Sequence, residues 1–335
     1  MKKKILLKKI SPKQFTANLK KRPFENLENI KMVEDFFNKS RGYVFKMPKP
    51  NTPVILLVSG GLDSTVTWGI LLEKYHLKIY PLFIIRDGQK SMREEKAVEF
   101  FIEYFSKKYP GQVYPLMKFT TSLSPKEIAR ELKNLQKYYH PERILEILNQ
   151  ERQIFKTSTN SHPQGILPAL HLFYCLAYIN YLYDRHLEKI TTVFTGVMVG
   201  DGTVLASQSF TSLRNALLAA CSVNNNYQIQ YCSLAMEKEL GFWFEKKDFI
   251  KIGWQMGIPL EKTWSCYNYK GYPLQCGDAC ATCRDRRNSF HEAKIEDKTI
   301  YMSDLKVRMI RDLKLKVKQI LGIKSLQELY FWKKI

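Results

Sequence analysis

The apolar run Val54-Ile55-Leu56-Leu57-Val58 passes directly into Ser59-Gly60-Gly61-Leu62-Asp63-Ser64, and this junction constrains the fold more than any other stretch. Five consecutive apolar residues, three of them β-branched, read as a strand buried on both faces, as in parallel sheets. Gly60 and Gly61 break the run, and residues 65–75 resume with apolar positions at helical spacing. A glycine pair lets the backbone turn tightly and aim several N–H groups at one point, and the helix start adds the positive end of its dipole. With the hydroxyls of Ser59, Ser64 and Thr65, the loop is a cradle for phosphate or pyrophosphate. A carboxylate at its mouth calls for a divalent cation between the two negative charges, which makes Asp63 a Mg²⁺ partner and a catalytic residue. The loop lacks the GKS/T ending of a Walker A motif. A ligand-free strand-to-helix turn is the plain alternative, and it does not require the full string.

The same alternation continues along the chain. Strands are expected over 79–85 and 191–197, and helices over 93–108, 166–183, 213–220 and 247–256, the last stopped by Gly257. The pattern predicts an α/β fold with a parallel sheet. Residues 122–165 interrupt it with two polar helices, opened by Ser124 and Glu127 at capping-box spacing. Three pieces follow: a basic N-terminal extension over 1–50 with one helix near 27–40, a core domain over 51–295 with the insertion at 122–165, and a basic C-terminal tail over 296–335.

Lysine and arginine number 53 against 32 aspartates and glutamates, a net charge of +21. Residues 2–22 hold nine of these cations and no acid. Such an excess favours anionic partners, whether ATP, a nucleic acid or an acidic protein, with solvated lysine faces as the plain alternative. No run of about 18 uncharged apolar residues offers a membrane span. The apolar stretch behind the opening lysines is too short for a signal peptide, so a cytoplasmic chain with reduced cysteines is expected.

Four of the seven cysteines fall in the pattern Cys266-x9-Cys276-x3-Cys280-x2-Cys283. Four thiolates this close can form a tetrahedron around Zn²⁺, a closed and therefore structural site within the region 263–290. Cys175, Cys221 and Cys232 stand apart in apolar segments and read as core residues.

The glycine loop resembles that of the PP-loop ATP pyrophosphatases, with their adenine nucleotide alpha hydrolase-like fold. The resemblance implies cleavage of ATP between its α and β phosphates, AMP and pyrophosphate as products, and ATP contacts from Ser59, Gly60, Gly61, Leu62, Asp63, Ser64 and Thr65. Together with Lys262-Thr263-Trp264-Ser265-Cys266-Tyr267, Cys276-Gly277, Cys280 and Cys283, it resembles the 7-cyano-7-deazaguanine synthase (QueC-like) family. Asp87-Gly88-Gln89, Phe194-Thr195-Gly196-Val197 with Asp201, residues 247–259, and Arg286 with Phe290 are similar to further family segments. The implied substrate contacts are Gln89, Gly196, Asp201 and Arg286, and Lys247 is the cation expected to offset charge in the transition state.

Departures from the family pattern are concentrated where the base would be recognised. Leu167-Pro168-Ala169-Leu170-His171 replaces a PGRN-like stretch, residues 202–210 replace a YPDC segment, and the cysteine knuckle has one extra residue. The pattern resembles relatives found in bacterial antiphage defence. Three functions remain open: amide and nitrile formation on a 7-deazaguanine carboxylate, ligation of the acyl-adenylate to an amine of a co-encoded protein or a nucleic acid, and a non-catalytic nucleotide-binding defence subunit. Thiolation of tRNA is a weaker alternative, since it calls for a reactive cysteine outside the cluster.

Overall fold

A computed structural model describes residues 7–86, 89–121, 167–204, 206–266, 274–277 and 279–305. The expected insertion at 122–165 and residues 306–335 lie outside the described residues. The apolar run forms strand β1 (Pro53–Val58), which pairs in parallel with β2 (Lys78–Arg86) on one side and β4 (Thr192–Thr195) on the other. Strand β3 (Met117–Thr121) extends the sheet beyond β2, and β5 (Gln230–Ser233) extends it beyond β4. The order is β3-β2-β1-β4-β5, all parallel, as the strand–helix alternation requires. A short antiparallel pair, β6 (Met236–Glu237) and β7 (Phe242–Trp243), follows β5.

Alternate residues of β1 serve opposite faces. Val54, Leu56 and Val58 enter one core with α3 (Leu62–Glu73), α4 (Gln89–Lys108), α8 (Lys246–Gln255) and α9 (Ala281–Ala293). Ile55 and Leu57 enter the other with α1 (Pro12–Lys20), α2 (Leu27–Arg41), α5 (Leu167–Asp184) and α7 (Phe210–Val223). A single turn, α6 (Asp201–Val204), lies between β4 and α7. No helix among the described residues is long and apolar enough to cross a membrane.

The N-terminal segment is part of this core and not an irregular extension. Ser11 caps α1 by accepting from the Gln14 N–H, and Asn26 caps α2 by accepting from the Asn29 N–H. Phe15 is fully buried, edge-on to Phe210 at 5.2 Å and to Trp243 at 5.1 Å. A buried charge group adds a second tie. The Arg214 guanidinium donates to both oxygens of Glu237 at 3.2 and 2.7 Å, while its Nε lies 3.5 Å from Glu34 Oε1 on α2. Lys238 closes the group on Glu34 Oε2 at 2.5 Å. Burial alone would lower the Arg214 pKa, but Glu237 and Glu34 outweigh it. The charges offset one another, although Glu34 Oε1 and Arg214 Nε lack a hydrogen-bond partner, and removing Arg214 would leave buried carboxylates uncompensated.

The opposite end also departs from expectation. Residues 299–304 fold back onto the cysteine region: the Met302 N–H donates to the Gln275 carbonyl at 2.8 Å, and Tyr301 is buried against the thiols. Residues 299–304, counted in the expected tail, therefore pack against the cysteine region.

Candidate active site and metal centre

In a parallel sheet wound in both directions, ligands bind beyond the carboxyl ends of the strands where the order reverses. Here that point lies between β1 and β4, so the loops after Val58 and after Thr195 face each other. Glycine permits both. Gly60 takes a positive φ of 66°, and a Cβ there would lie 2.4 Å from the Glu94 carbonyl oxygen and 2.8 Å from the Ala97 Cβ. A Cβ on Gly196 would lie 2.7 Å from the Ser64 backbone nitrogen. The start of α3 is thereby pressed between β1, α4 and the end of β4.

The hydroxyls of the loop close on one another. Ser59 and Ser64 Oγ atoms are 3.1 Å apart, the Ser59 N–H donates to Ser64 Oγ at 3.2 Å, and the Gly61 N–H donates to Ser59 Oγ at 3.3 Å. Leu62, Ser64 and Thr65 are buried, with Leu62 in the core under α3. The loop is joined to the cysteine region by the Trp264 N–H, which donates to the Gly60 carbonyl at 2.8 Å.

Lys246 links two carboxylates beside this loop, and a third acts on it at longer range. Lys246 Nζ lies 3.9 Å from Asp63 Oδ2 and is hydrogen-bonded to Asp285 Oδ2 on α9, and Asp201 contributes its field from the β4 side. The Asp201 carboxylate also accepts the Met198 N–H at 2.8 Å. Asp63 Oδ1 is buried without a hydrogen-bond partner. Burial pushes the Asp63 pKa from 3.8 up to about 6, Lys246 opposes this, and Asp201 and Asp285 reinforce it. Asp201 is raised too, first by burial, against Lys246 and the Met198 N–H. Burial alone would lower Lys246, but its three carboxylates outweigh it and the ammonium stays charged. Three carboxylates sharing one ammonium leave a net negative group beside a phosphate cradle, with one oxygen lacking a donor. That donor set fits a hard divalent cation.

Two expected site residues make their direct contacts elsewhere, although the Arg286 charge still acts on Asp63. Lys247 pairs with Glu245 at 2.5 Å and Glu292 at 3.6 Å, on the outer side of α8. The helical period decides between the adjacent lysines: Lys246 shares a stripe with buried Phe249, Ile250 and Gly253, whereas Lys247 shares one with exposed Lys251 and Trp254. Arg286 is 1% exposed and donates to Thr263 Oγ1 at 2.6 Å, the Leu260 carbonyl at 2.7 Å and Thr299 Oγ1 at 2.8 Å. It falls on the inward stripe of α9 with Cys283, Phe290 and Ala293, and it ties three segments together instead of facing a ligand. Gln89 opens α4, and its side chain lies outside the described residues. The residues that pair beside Asp63 and were not singled out from the sequence are Lys246, which periodicity would have found, and Asp285, an acid set between Arg284 and Arg286.

The four Sγ atoms of Cys266, Cys276, Cys280 and Cys283 all lie within 4.8 Å of one another. Sulfurs around a tetrahedral ion with Zn–S bonds of ~2.3 Å stand ~3.8 Å apart, so this set fits such an ion with little movement. Gly277, at φ 82°, makes the turn, and a Cβ there would lie 2.0 Å from Ser303 Oγ. Without a cation the thiols hold their protons: burial pushes Cys276 up to about 12, and hydrogen bonds from Cys266 and Cys280 raise Cys283 further. Cys175, Cys221 and Cys232 are buried in the cores, with thiols raised by burial, as expected of inert residues.

Fold and sites together define a PP-loop α/β protein with a C-terminal four-cysteine centre. The family model of the queuosine biosynthesis protein QueC matches residues 53–294, well over half of the chain, and the chain belongs to that family. Among individual relatives, the 7-cyano-7-deazaguanine synthase of Persephonella marina is 26% identical over 268 residues, covering 74% of this chain and 96% of that protein. The synthase of Prochlorococcus marinus is 25% identical over 254 residues, covering 73% and 96%. Among solved structures, the tRNA thiolase NcsA of Methanococcus maripaludis, with its 4Fe–4S cluster, matches 79% of this chain and 73% of its own with a TM-score of 0.33 and 11% identity, a likeness too slight to argue from.

Two outcomes are expected. The folded chain holds the Asp63 proton between pH 3.8 and about 6, where the unfolded chain releases it, so stability falls as pH rises through that window. Metal-free Asp63→Asn should therefore melt above wild type at pH 8, with the gain shrinking toward pH 4; a lower melting temperature at pH 8 would contradict the assignment. Elemental analysis should find about one metal ion per chain, and Cys276→Ser should lose it together with thermal stability, because binding and folding of such a site are coupled.

Proposed function

We propose that this chain is an ATP-dependent synthase that adenylates the carboxylate of a 7-deazaguanine-type substrate. The observation that carries the reading is the pairing of Asp63 with Lys246, in the field of Asp201, beside the Gly60-Gly61 loop and within the family-model match. The backbone of residues 59–65 and the hydroxyls of Ser59 and Ser64 would receive the pyrophosphate half of ATP. Asp63 would hold a Mg²⁺, which when bound offsets the charge between this carboxylate and the phosphates, and Asp201 would face the acyl substrate. Gly196, which brings the end of β4 against the first turn of α3, and Gln89 are proposed as further substrate contacts. A carboxylate oxygen attacks the α-phosphorus, the bond to the β-phosphate oxygen breaks, and pyrophosphate leaves. Lys246 is placed to offset the charge that spreads over the transferring phosphorus group. A nitrogen nucleophile then attacks the acyl carbon and AMP departs. The cysteine set would hold Zn²⁺ in a structural role.

Ammonia as nucleophile leads to an amide, and a second activation to the nitrile. An amine of a partner protein or nucleic acid is the second reading, in the setting of a defence-associated relative. The exposed cations Lys8, Lys9, Lys13, Lys20 and Lys21 favour it, because they lie on a packed N-terminal segment and offer a fixed basic surface to an acidic partner. A non-catalytic subunit would have no need of the charge group at the loop.

The two adjacent lysines give a direct test. Pyrophosphate release from ATP and 7-carboxy-7-deazaguanine should fall about 10²–10³-fold in Lys246→Met, the magnitude of losing a preorganised charge partner. Lys247→Met should stay within about two-fold of wild type, as expected for an exposed ion pair. Equal losses in the two variants would remove Lys246 from the reaction.

A further inference from the structure

The connection that leaves β4 carries Asp201, and the N-terminal segment holds that connection at both ends. At its start, residues 198–201 form a turn in which the Asp201 N–H donates to the Met198 carbonyl at 3.1 Å while the Asp201 carboxylate accepts the Met198 N–H. Arg22 donates from Nη1 to the carbonyl of Val199, inside this turn, and its guanidinium lies over the Trp243 ring at 4.9 Å. At the far end, the Glu25 carboxylate accepts the Phe210 and Thr211 N–H groups at 2.9 Å each and the Thr211 hydroxyl at 2.8 Å. The Asn26 N–H donates to the same hydroxyl oxygen at 2.9 Å. Glu25 thus satisfies the free donors that begin a 14-residue helix and complements its dipole. Residues 22–26 lie outside the family-model match at 53–294, whereas the turn they hold lies within it.

Asp201 reaches the Asp63 and Lys246 group only if its turn is fixed. Its own hydrogen bond to Met198 is internal to the turn and cannot set where the turn sits on the sheet. Met198 and Val199 bury their side chains in the two cores, and two polar contacts from other elements fix the backbone itself. The Ser233 hydroxyl on β5 donates to the Val197 carbonyl, just before the turn, and Arg22 takes the Val199 carbonyl within it. Arg22 is held in turn by the flat face of Trp243, on the strand that leads to Glu245 and Lys246. One guanidinium therefore links the turn bearing Asp201 to the segment bearing Lys246.

We propose that Arg22 is a positioning residue of the adenylation site: it fixes the 198–201 turn, and with it the Asp201 carboxylate, against Lys246 and Asp63, while Glu25 anchors the other end of the same connection. The N-terminal segment thereby shapes how this chain receives its acyl substrate. A planar guanidinium both donates to a carbonyl and stacks on an indole, which an ammonium reproduces only in part. The proposal rests on the synthase reading for its kinetic consequence and on the geometry alone for the clamp.

The test uses the full-length chain and the variants Arg22→Ala, Arg22→Lys and Glu25→Gln. Hydrogen exchange is followed over residues 196–204 and over α3, and KM is measured separately for ATP and for 7-carboxy-7-deazaguanine. Arg22→Ala should speed exchange over 196–204 and leave α3 as in wild type. It should raise the acyl KM about ten-fold, within the range expected for a displaced substrate-facing group, while the ATP KM stays within about two-fold. Arg22→Lys should fall between wild type and Arg22→Ala, and Glu25→Gln should speed exchange at the start of α7. Unchanged exchange over 196–204, or equal shifts of both KM values, would overturn the proposal and leave Arg22 as a packing contact. A wild-type chain that does not turn over the acyl substrate would sink the synthase reading, and the exchange data would still decide the clamp.

Discussion

The site depends on two contacts that only a missing side chain allows. Gly60 brings the β1 loop against α4, and Gly196 brings the end of β4 against the first turn of α3. Each approach is closer than any Cβ tolerates, so the phosphate cradle, the helix start and the turn bearing Asp201 are set by backbone against backbone. The Gly60 carbonyl then accepts the Trp264 N–H, and the cysteine region inherits its position from the same loop. A glycine loop and a cysteine cluster that look separate along the chain are therefore one construction.

Its electrostatics point the same way. Asp63 and Asp285 pair with Lys246, Asp201 acts on it at longer range, and burial holds Asp63 and Asp201 above their ordinary values. The cysteine thiols are likewise raised where they cluster. Both groups hold buried acids above their ordinary values, and a bound cation would lower them. The buried Arg214 group differs: its two cations and two carboxylates offset one another, and it binds α2 to the core.

Much of this was legible in the sequence because the signals were local. An apolar run ending in a glycine pair marks a buried strand and its loop, and clustered cysteines mark a metal site whatever surrounds them. Helices α2, α3, α4, α5, α7 and α8 fell within a few residues of expectation for the same reason. Short β3 and β5 have no such run, and their places come from pairing with β2 and β4. Helix α1 was hidden by its cations, since only Phe15 and Leu19 of its nine residues are buried. Lys247 and Arg286 were chosen by family position, whereas the inward stripes of α8 and α9 carry Lys246 toward Asp63 and Arg286 into the core. Arg22 and Glu25 carry no local signal, because their partners lie 177 and 185 or more residues away.

The central claim is that a carboxylate oxygen attacks the α-phosphorus of ATP in this site. The most direct measurement supplies 7-carboxy-7-deazaguanine with oxygen-18 in both carboxylate positions, together with ATP–Mg²⁺ and ammonia, and analyses the nucleotide product by mass spectrometry. Adenylation transfers one carboxylate oxygen to phosphorus, so the account predicts AMP carrying one oxygen-18. Unlabelled AMP, or ADP with labelled phosphate, would contradict it.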